Sequence, residues 1–260
     1  MKYEDFLALV KSRRSIRRFQ PDPIPDDYIE KMVEAARWAP SGFNSQLWEF
    51  VAIRERRLRR EIGDTICAAL QKMVQKAAPA RFPSVGEKSA SVAPPVQGSP
   101  PPGACWNEES KKMTWGWQQA PVFLIVFGDT RVRSCSPIPP VKTNDEKWKS
   151  IFYASLACAY QYAALAAVCL GLSSQWVSAV GIAPVEARIK ALLGIPEPLK
   201  VFDMLAVGYP DMDPPPKAVR GCEEILHFDA CGKEDFRTDE QVRAYFGLGK
   251  ENSPEGSLNE

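Results

Sequence analysis

The stretch Ala120-Pro121-Val122-Phe123-Leu124-Ile125-Val126-Phe127 decides the fold class of this chain. An unbroken apolar run of this length, rich in β-branched and aromatic side chains, predicts a central strand buried on both faces. Such a strand needs a cover, and residues 145–170 offer one. From Ile151 onward, alanine and large apolar residues occupy nearly every face, which predicts a long helix at the centre of the fold. Gly171 is the residue expected to stop it. Further strands are predicted at 48–53, 174–180 and 201–207. Helices are predicted at 2–11, from Asp26 to the stop at Ala39-Pro40-Ser41-Gly42, at 56–76 and at 184–193. Few strands among many helices, without regular βαβ alternation, make an α+β fold.

The chain has 260 residues, enough for one large domain with a substantial core, and 45% of them are hydrophobic. Its 33 basic and 32 acidic residues leave a formal charge of +1. Nucleic-acid binders ordinarily carry a marked basic excess, so no nucleic-acid partner is expected. The seven cysteines, at 67, 105, 135, 158, 169, 222 and 231, show no C-x-x-C spacing. With His227 as the single histidine, no metal site is expected. Lys2, Glu4 and Asp5 break any apolar leader, and polar residues interrupt 151–172, the stretch nearest to a membrane span. The expectation is a cytoplasmic protein with no membrane partner and reduced cysteines.

Chemistry-bearing residues gather in four stretches. The first is Ser12-Arg13-Arg14-Ser15-Ile16-Arg17-Arg18-Phe19. Guanidinium forks bind phosphate bidentately and a serine hydroxyl can add a bond to the same anion, although a solvated face or a basic patch looks similar. The second is Ala39-Pro40-Ser41-Gly42-Phe43-Asn44-Ser45-Gln46-Leu47-Trp48. The Asn44 and Gln46 amides match the alternating N–H and C=O edge of a pyrimidine-like ring, while Pro-Ser-Gly-x-Asn is equally ordinary turn chemistry. The third, Gly171-Leu172-Ser173-Ser174-Gln175-Trp176-Val177-Ser178, can present N–H groups and hydroxyls to a planar ring, or simply end a helix and open a strand. The fourth is Val207-Gly208-Tyr209-Pro210, followed by a Pro-rich segment carrying Lys217 and Arg220.

In this order the four stretches resemble the FMN-dependent nitroreductase family. The likeness rests on Arg13 to Phe19, on Ala39-Pro40-Ser41-Gly42-Phe43-Asn44-Ser45-Gln46-Leu47-Trp48-Glu49-Phe50 and on Gly171 to Trp176. It ends with Gly208-Tyr209-Pro210 and Arg220 ahead of Glu223-Glu224-Ile225, and covers roughly residues 1–78 and 117–228. It implies a nitroreductase-like α+β fold with a central, mostly antiparallel sheet flanked by helices. It also implies an intertwined homodimer with one FMN in each of two interface sites. By matching position, Arg13, Arg14 and Ser15 are implied to hold the phosphate and ribityl end, with Lys217 and Arg220 closing on the phosphate. Arg17 is implied to lie near flavin N1–C2=O, where a fixed cation suits the negative charge that reduction brings. Pro40, Ser41 and Asn44 are implied to serve the flavin of the other subunit, Gln46 to bind the cofactor as well, and Ser174, Gln175, Trp176 and Ser178 to line the ring.

The implied activity takes hydride from NAD(P)H and reduces a nitroaromatic, quinone or related small acceptor. Because the flavin carries that chemistry, no nucleophilic side chain is required. The same resemblance admits a flavin carrier or sensor without turnover, a reductive dehalogenase, or a flavin-consuming enzyme. Deiodinases of the family use a lid Glu, Tyr and Lys. Lys111 or Lys112 could supply the lysine, but no tyrosine lies between Tyr28 and Tyr153, so deiodination is not expected.

Residues 79–115 depart from the shared core. Proline, glycine, serine and alanine dominate 79–104 without periodicity, which predicts a mobile lid-type insertion. The whole chain is then one domain, 1–260, with an irregular C-terminal extension from about 210. Trp106, Trp115 and Trp117 flank the insertion, suited either to stack over an aromatic acceptor or to pack in the core or an interface.

Overall fold

The computed structural model describes residues 2–77, 104–107, 112–135, 137 and 144–245. In chain order the elements are α1 (Tyr3–Ser12), α2 (Asp26–Ala36), β1 (Trp48–Ile53), α3 (Arg56–Ala77), β2 (Ala104–Asn107), β3 (Lys112–Trp115) and β4 (Val122–Asp129). There follow α4 (Val132–Cys135), α5 (Asp145–Cys169), β5 (Ser173–Val177), α6 (Ala183–Leu193), β6 (Leu199–Gly208) and α7 (Asp239–Tyr245).

The apolar run forms β4, which begins at Val122. Ala120 closes the preceding 3-10 turn by donating its N–H to the Trp117 carbonyl at 3.1 Å, so the strand starts two residues later than predicted. β4 is central in a sheet of order β1-β4-β6-β5, with every pair antiparallel. Its side chains alternate between two cores. Val122, Leu124 and Val126 pack with Met32 and Ala36 of α2 and with Leu156, Ala159 and Tyr160 of α5. Phe123, Ile125 and Phe127 pack on the other side with Ile62 and Ile66 of α3 and Ile189 of α6. Each of these large side chains contributes about 1.5–3 kcal/mol by burial, which is why one strand organises both layers. The α+β class and the antiparallel sheet agree with the sequence reading.

Asn144 caps α5 by accepting the Lys147 N–H at 2.9 Å, and Asp145 and Glu146 sit at the positive end of the helix. Gly171, at φ 73°, turns the chain back after the helix, a conformation that favours glycine. α5 is long and apolar enough to cross a membrane by length and composition, yet Trp148, Phe152, Leu156, Ala159, Ala163 and Ala167 are buried in the core beside the sheet.

Two further expectations need correction or placement. The strand predicted at 174–180 ends at Val177, because Ser178–Gly181 winds into a 3-10 turn that buries Val180 ahead of α6. Ser178 therefore stands at the start of a turn, not on the strand. Most of the predicted insertion (78–103 and 108–111) lies outside the described residues, but its end forms an antiparallel β2–β3 pair. Trp117 takes the core alternative: it is buried, with its ring centroid 5.8 Å from that of Phe123.

The described chain falls into two compact units, the second beginning at Pro215. That second unit carries the 3-10 turns Cys222–Glu224 and Lys233–Asp235 together with α7.

Candidate functional site

The arginine segment is held by two isolated β-bridges, at Ser15 and Phe19. Ile16 and Phe19 are buried in the core beside Trp117 and Phe123, which fixes the segment at two points. Around the first anchor, Arg13, Arg14, Ser15 and Arg17 stay half-buried. The Ile16 N–H donates to the Ser174 carbonyl at 3.1 Å, and Ser15 pairs with Ser174 in a parallel bridge. Beyond it, Gln20 N–H donates to the Tyr209 carbonyl and Asp211 N–H to the Arg18 carbonyl, both at 3.0 Å, while Phe19 bridges Pro210. Three of the four stretches singled out in the sequence are thus joined by backbone hydrogen bonds. Gly116 lies against the Arg17 carbonyl so closely that no Cβ would fit there.

This junction leaves polar atoms in need of partners. Arg17 Nε, Gln175 Oε1 and Trp115 Nε1 are buried without a hydrogen-bond partner. A buried unpaired polar atom costs about 1–3 kcal/mol, so each such atom calls for a partner such as water or a ligand. Ser174 is itself buried, whereas Trp176 keeps 43% of its surface exposed.

The Pro40–Gln46 turn lies elsewhere in the chain. The Ser41 Oγ accepts the Gln46 N–H at 3.0 Å, and the Gly42 N–H donates to the Ser155 Oγ at 3.0 Å, near the N-terminal half of α5. Phe43, Asn44 and Gln46 all have positive φ, at 59°, 51° and 42°. Non-glycine residues in this region store strain of about 1–3 kcal/mol each, less for asparagine, and such strain gathers at functional loops. Pro40, Phe43, Asn44 and Gln46 are exposed, and Ser45 Oγ is buried without a partner. Phe43 and Ser45 also line a cavity of about 360 Å³ with Arg131, Trp148 and Ile151.

The turn is tied to Ser155 of α5, whereas the arginine segment is tied to Ser174 and Tyr209, so the two stretches are anchored on different elements. Lys217 and Arg220 belong to the second unit. There Lys217 is exposed, and the Arg220 guanidinium is engaged by Glu224, donating from Nε to Oε2 at 3.3 Å and also to the Glu224 carbonyl.

Sequence reasoning missed Asp203. It is the one carboxylate in the apolar run 201–207, and that isolation was the available signal. It is 8% exposed, and its Oδ2 accepts the Trp176 Nε1–H at 2.6 Å. Burial raises its pKa to about 6, partly opposed by the bond from Trp176.

The sequence profile of the Nitroreductase family matches residues 10–209. The chain belongs to the nitroreductase family. An Archaeoglobus fulgidus relative, named provisionally as an NADH dehydrogenase/NAD(P)H nitroreductase, is 28% identical over 210 residues, covering 80% of this chain and 86% of its own. Iodotyrosine deiodinase 1 of Rattus norvegicus is 25% identical over 215 residues, covering 81% of this chain and 64% of its own. A solved BluB-like flavoprotein from Clostridium difficile 630 has a TM-score of 0.62 at 24% identity, covering 88% of this chain and 100% of that one. An iodotyrosine deiodinase structure with FMN and 3-iodo-L-tyrosine has a TM-score of 0.59 at 22% identity, covering 86% and 99%. This nitroreductase-family chain therefore shares its fold with proteins of differing chemistry, and membership alone does not choose among them.

Proposed function

We propose that this chain is an FMN-dependent oxidoreductase that takes hydride from NAD(P)H and reduces a nitroaromatic, quinone or related planar acceptor. The observation that carries the reading is the buried, unpartnered pair of Arg17 Nε and Gln175 Oε1 on two segments zipped together by the Ile16–Ser174 bond. One is a donor and the other an acceptor, which suits a flavin edge that alternates C=O and N–H groups. Among the described residues, no carboxylate is within ion-pair distance of Arg13 or Arg17. That leaves both guanidinium groups open to a ligand anion.

In this reading Arg13, Arg14 and Ser15 hold the phosphate end, and Arg17 fixes positive charge beside the ring. Ser174, Gln175, Trp176 and Ser178 line the ring. Bound FMN supplies the hydride-accepting centre. The protein's part is to orient it, neutralise its charge and shape the space for the acceptor. The strained Pro40–Gln46 turn leaves Pro40, Asn44 and Gln46 exposed, and in this reading each copy of a homodimer lends it to the other's site.

The test is direct. Purified protein should be yellow, with a flavin spectrum that NADH or NADPH bleaches anaerobically and that an acceptor restores. The acceptor panel should include nitroaromatics, quinones and 3-iodo-L-tyrosine, the last because deiodinases are among the relatives. Protein that is colourless and does not reconstitute with FMN overturns the reading. Bound FMN with no oxidation of NAD(P)H under any acceptor selects the carrier alternative.

A further inference from the structure

Asp203 is unusual on two counts. A carboxylate with 8% exposure ordinarily has a cation beside it, because a buried charge is costly unless it is paired. Here its hydrogen-bond partner is neutral: the Trp176 indole N–H, at 2.6 Å. A backbone carbonyl or an amide would satisfy that N–H without the expense of a charge. Trp176, in turn, is not packed away. Its ring lies 4.1 Å from that of Tyr160 and 6.2 Å from that of Phe202, yet 43% of the residue remains open. The fold fixes one side of the indole and leaves the rest presented.

A β-bulge makes this possible. In the β4–β6 register Val126 faces Asp203 and Phe127 faces Val201, so Phe202 is the extra residue. Val201 and Met204 pack into the core under α3 and α6, whereas Phe202 packs with Leu205 on the α5 side. Phe202 and Asp203 therefore turn to the same side as Trp176. Bulges commonly re-aim a side chain next to a functional site.

We propose that Asp203 is a positioning residue. Its carboxyl oxygen holds the Trp176 indole by its N–H across Tyr160, so that the open ring forms a flat aromatic wall for a planar aromatic acceptor beside the Ser173–Val177 strand. This rests on the flavin reading above for its place in the reaction, but the pair itself can be tested without turnover.

The surroundings make the pair responsive to pH. From α5 the titratable neighbour is Tyr160, whose hydroxyl donates to the Met204 carbonyl at 2.8 Å and whose own pKa is driven upward, chiefly by burial. From β4 the facing residue is apolar Val126, and from β5 the contact is the indole itself. The charge of Arg13 is felt at Tyr160. With burial holding its pKa near 6, Asp203 changes charge within an accessible range.

The experiment compares the full chain with Asp203→Asn, Asp203→Leu and Trp176→Phe, each first shown folded by circular dichroism. Menadione, a planar quinone, is titrated against tryptophan fluorescence, with the Trp176→Phe signal subtracted. The expected result is quenching of the Trp176 component with a Kd that weakens at least tenfold in Asp203→Leu. In Asp203→Asn, which keeps an acceptor oxygen, it should stay within about threefold. The Trp176 emission of the parent chain should shift through a transition near pH 6 that Asp203→Asn lacks. Equal menadione affinity in the parent and Asp203→Leu overturns the proposal, as does a Trp176 signal with no transition that depends on Asp203. A colourless, FMN-free protein that still gives the expected quenching refutes the flavin reading and leaves this one standing.

Discussion

The Gly42 N–H donates to the Ser155 hydroxyl at 3.0 Å, which fastens the strained Pro40–Gln46 turn to α5, while the arginine segment is fastened to Ser174. In the proposed homodimer, a two-fold pairing of chains would bring one copy's turn to the other copy's arginines.

The shared site has a sharp consequence. An Arg13→Ala, Arg17→Ala chain and a Ser41→Ala, Asn44→Ala chain should each lose FMN binding as homodimers. Mixed and refolded together, they should regain flavin to about half the parental occupancy in the heterodimer fraction, because one intact site is rebuilt from the two undamaged halves. Light scattering of the parent should give twice the chain mass. A monomer that holds FMN at full affinity would falsify the shared-site arrangement.

Phosphate recognition separates from ring recognition. Arg13→Ala should weaken FMN binding by about 1.5–3 kcal/mol, the scale of a hydrogen bond to a charged group, which is roughly a tenfold to 150-fold rise in Kd. Riboflavin lacks the phosphate, so its weaker affinity should barely change in this variant. Arg17→Ala should weaken both ligands alike, since Arg17 is assigned to the ring. Isothermal titration of the apoprotein with each ligand measures the four affinities. An equal loss for FMN and riboflavin in Arg13→Ala would remove Arg13 from the phosphate.

The two-faced core was legible because β4 buries both sides and α5 is apolar nearly all round, and periodicity reports burial directly. Ile16 and Phe19 were legible only as part of a motif, since their burial goes with the Ser15–Ser174 and Phe19–Pro210 bridges that no local pattern encodes. The early end of β5 followed from Val180, whose burial ahead of α6 bends the chain out of the strand. The β6 bulge was hidden for a related reason. Val201 to Val207 reads as a uniform apolar strand, and the extra residue exists only relative to its partner β4. Asp203 broke that apolar run, but its meaning required Trp176 to be placed beside it.

Thiol reactivity should divide by burial. Cys67 is 7% exposed inside the α3 core, and burial, with a smaller contribution from Asp64, pushes its pKa up to about 12. The thiolate is the reacting species, so at pH 8 almost none is present and access is blocked as well. Cys135, Cys169, Cys222 and Cys231 are exposed. Iodoacetamide on the native protein should label those four, with Cys67 modified only after denaturation, as read by peptide mass spectrometry. Labelling of Cys67 at the rate of Cys135 would mean that the α3 layer opens readily in solution.

The buried Asp203 carboxyl should also shape stability. Its pKa is raised by burial from 3.8 to about 6 in the folded state, so the fold binds the proton more tightly than the unfolded chain does. A raised carboxyl pKa stabilises below the unfolded value, and that contribution is lost as pH rises through the folded one. The window is therefore about pH 4 to 6, and the full effect is roughly 3 kcal/mol, at 1.36 kcal/mol for each pKa unit. Asp203→Asn keeps an acceptor oxygen for Trp176 but carries no charge to bury. Urea denaturation at pH 7.5 should find this variant more stable than the parent by up to that amount, with the gap closing as pH falls toward 4. All other groups titrate alike in both chains, so the difference isolates this carboxyl. A gap of the same size at both pH values would show that the gain comes from packing, and that Asp203 is not charged within the fold at neutral pH.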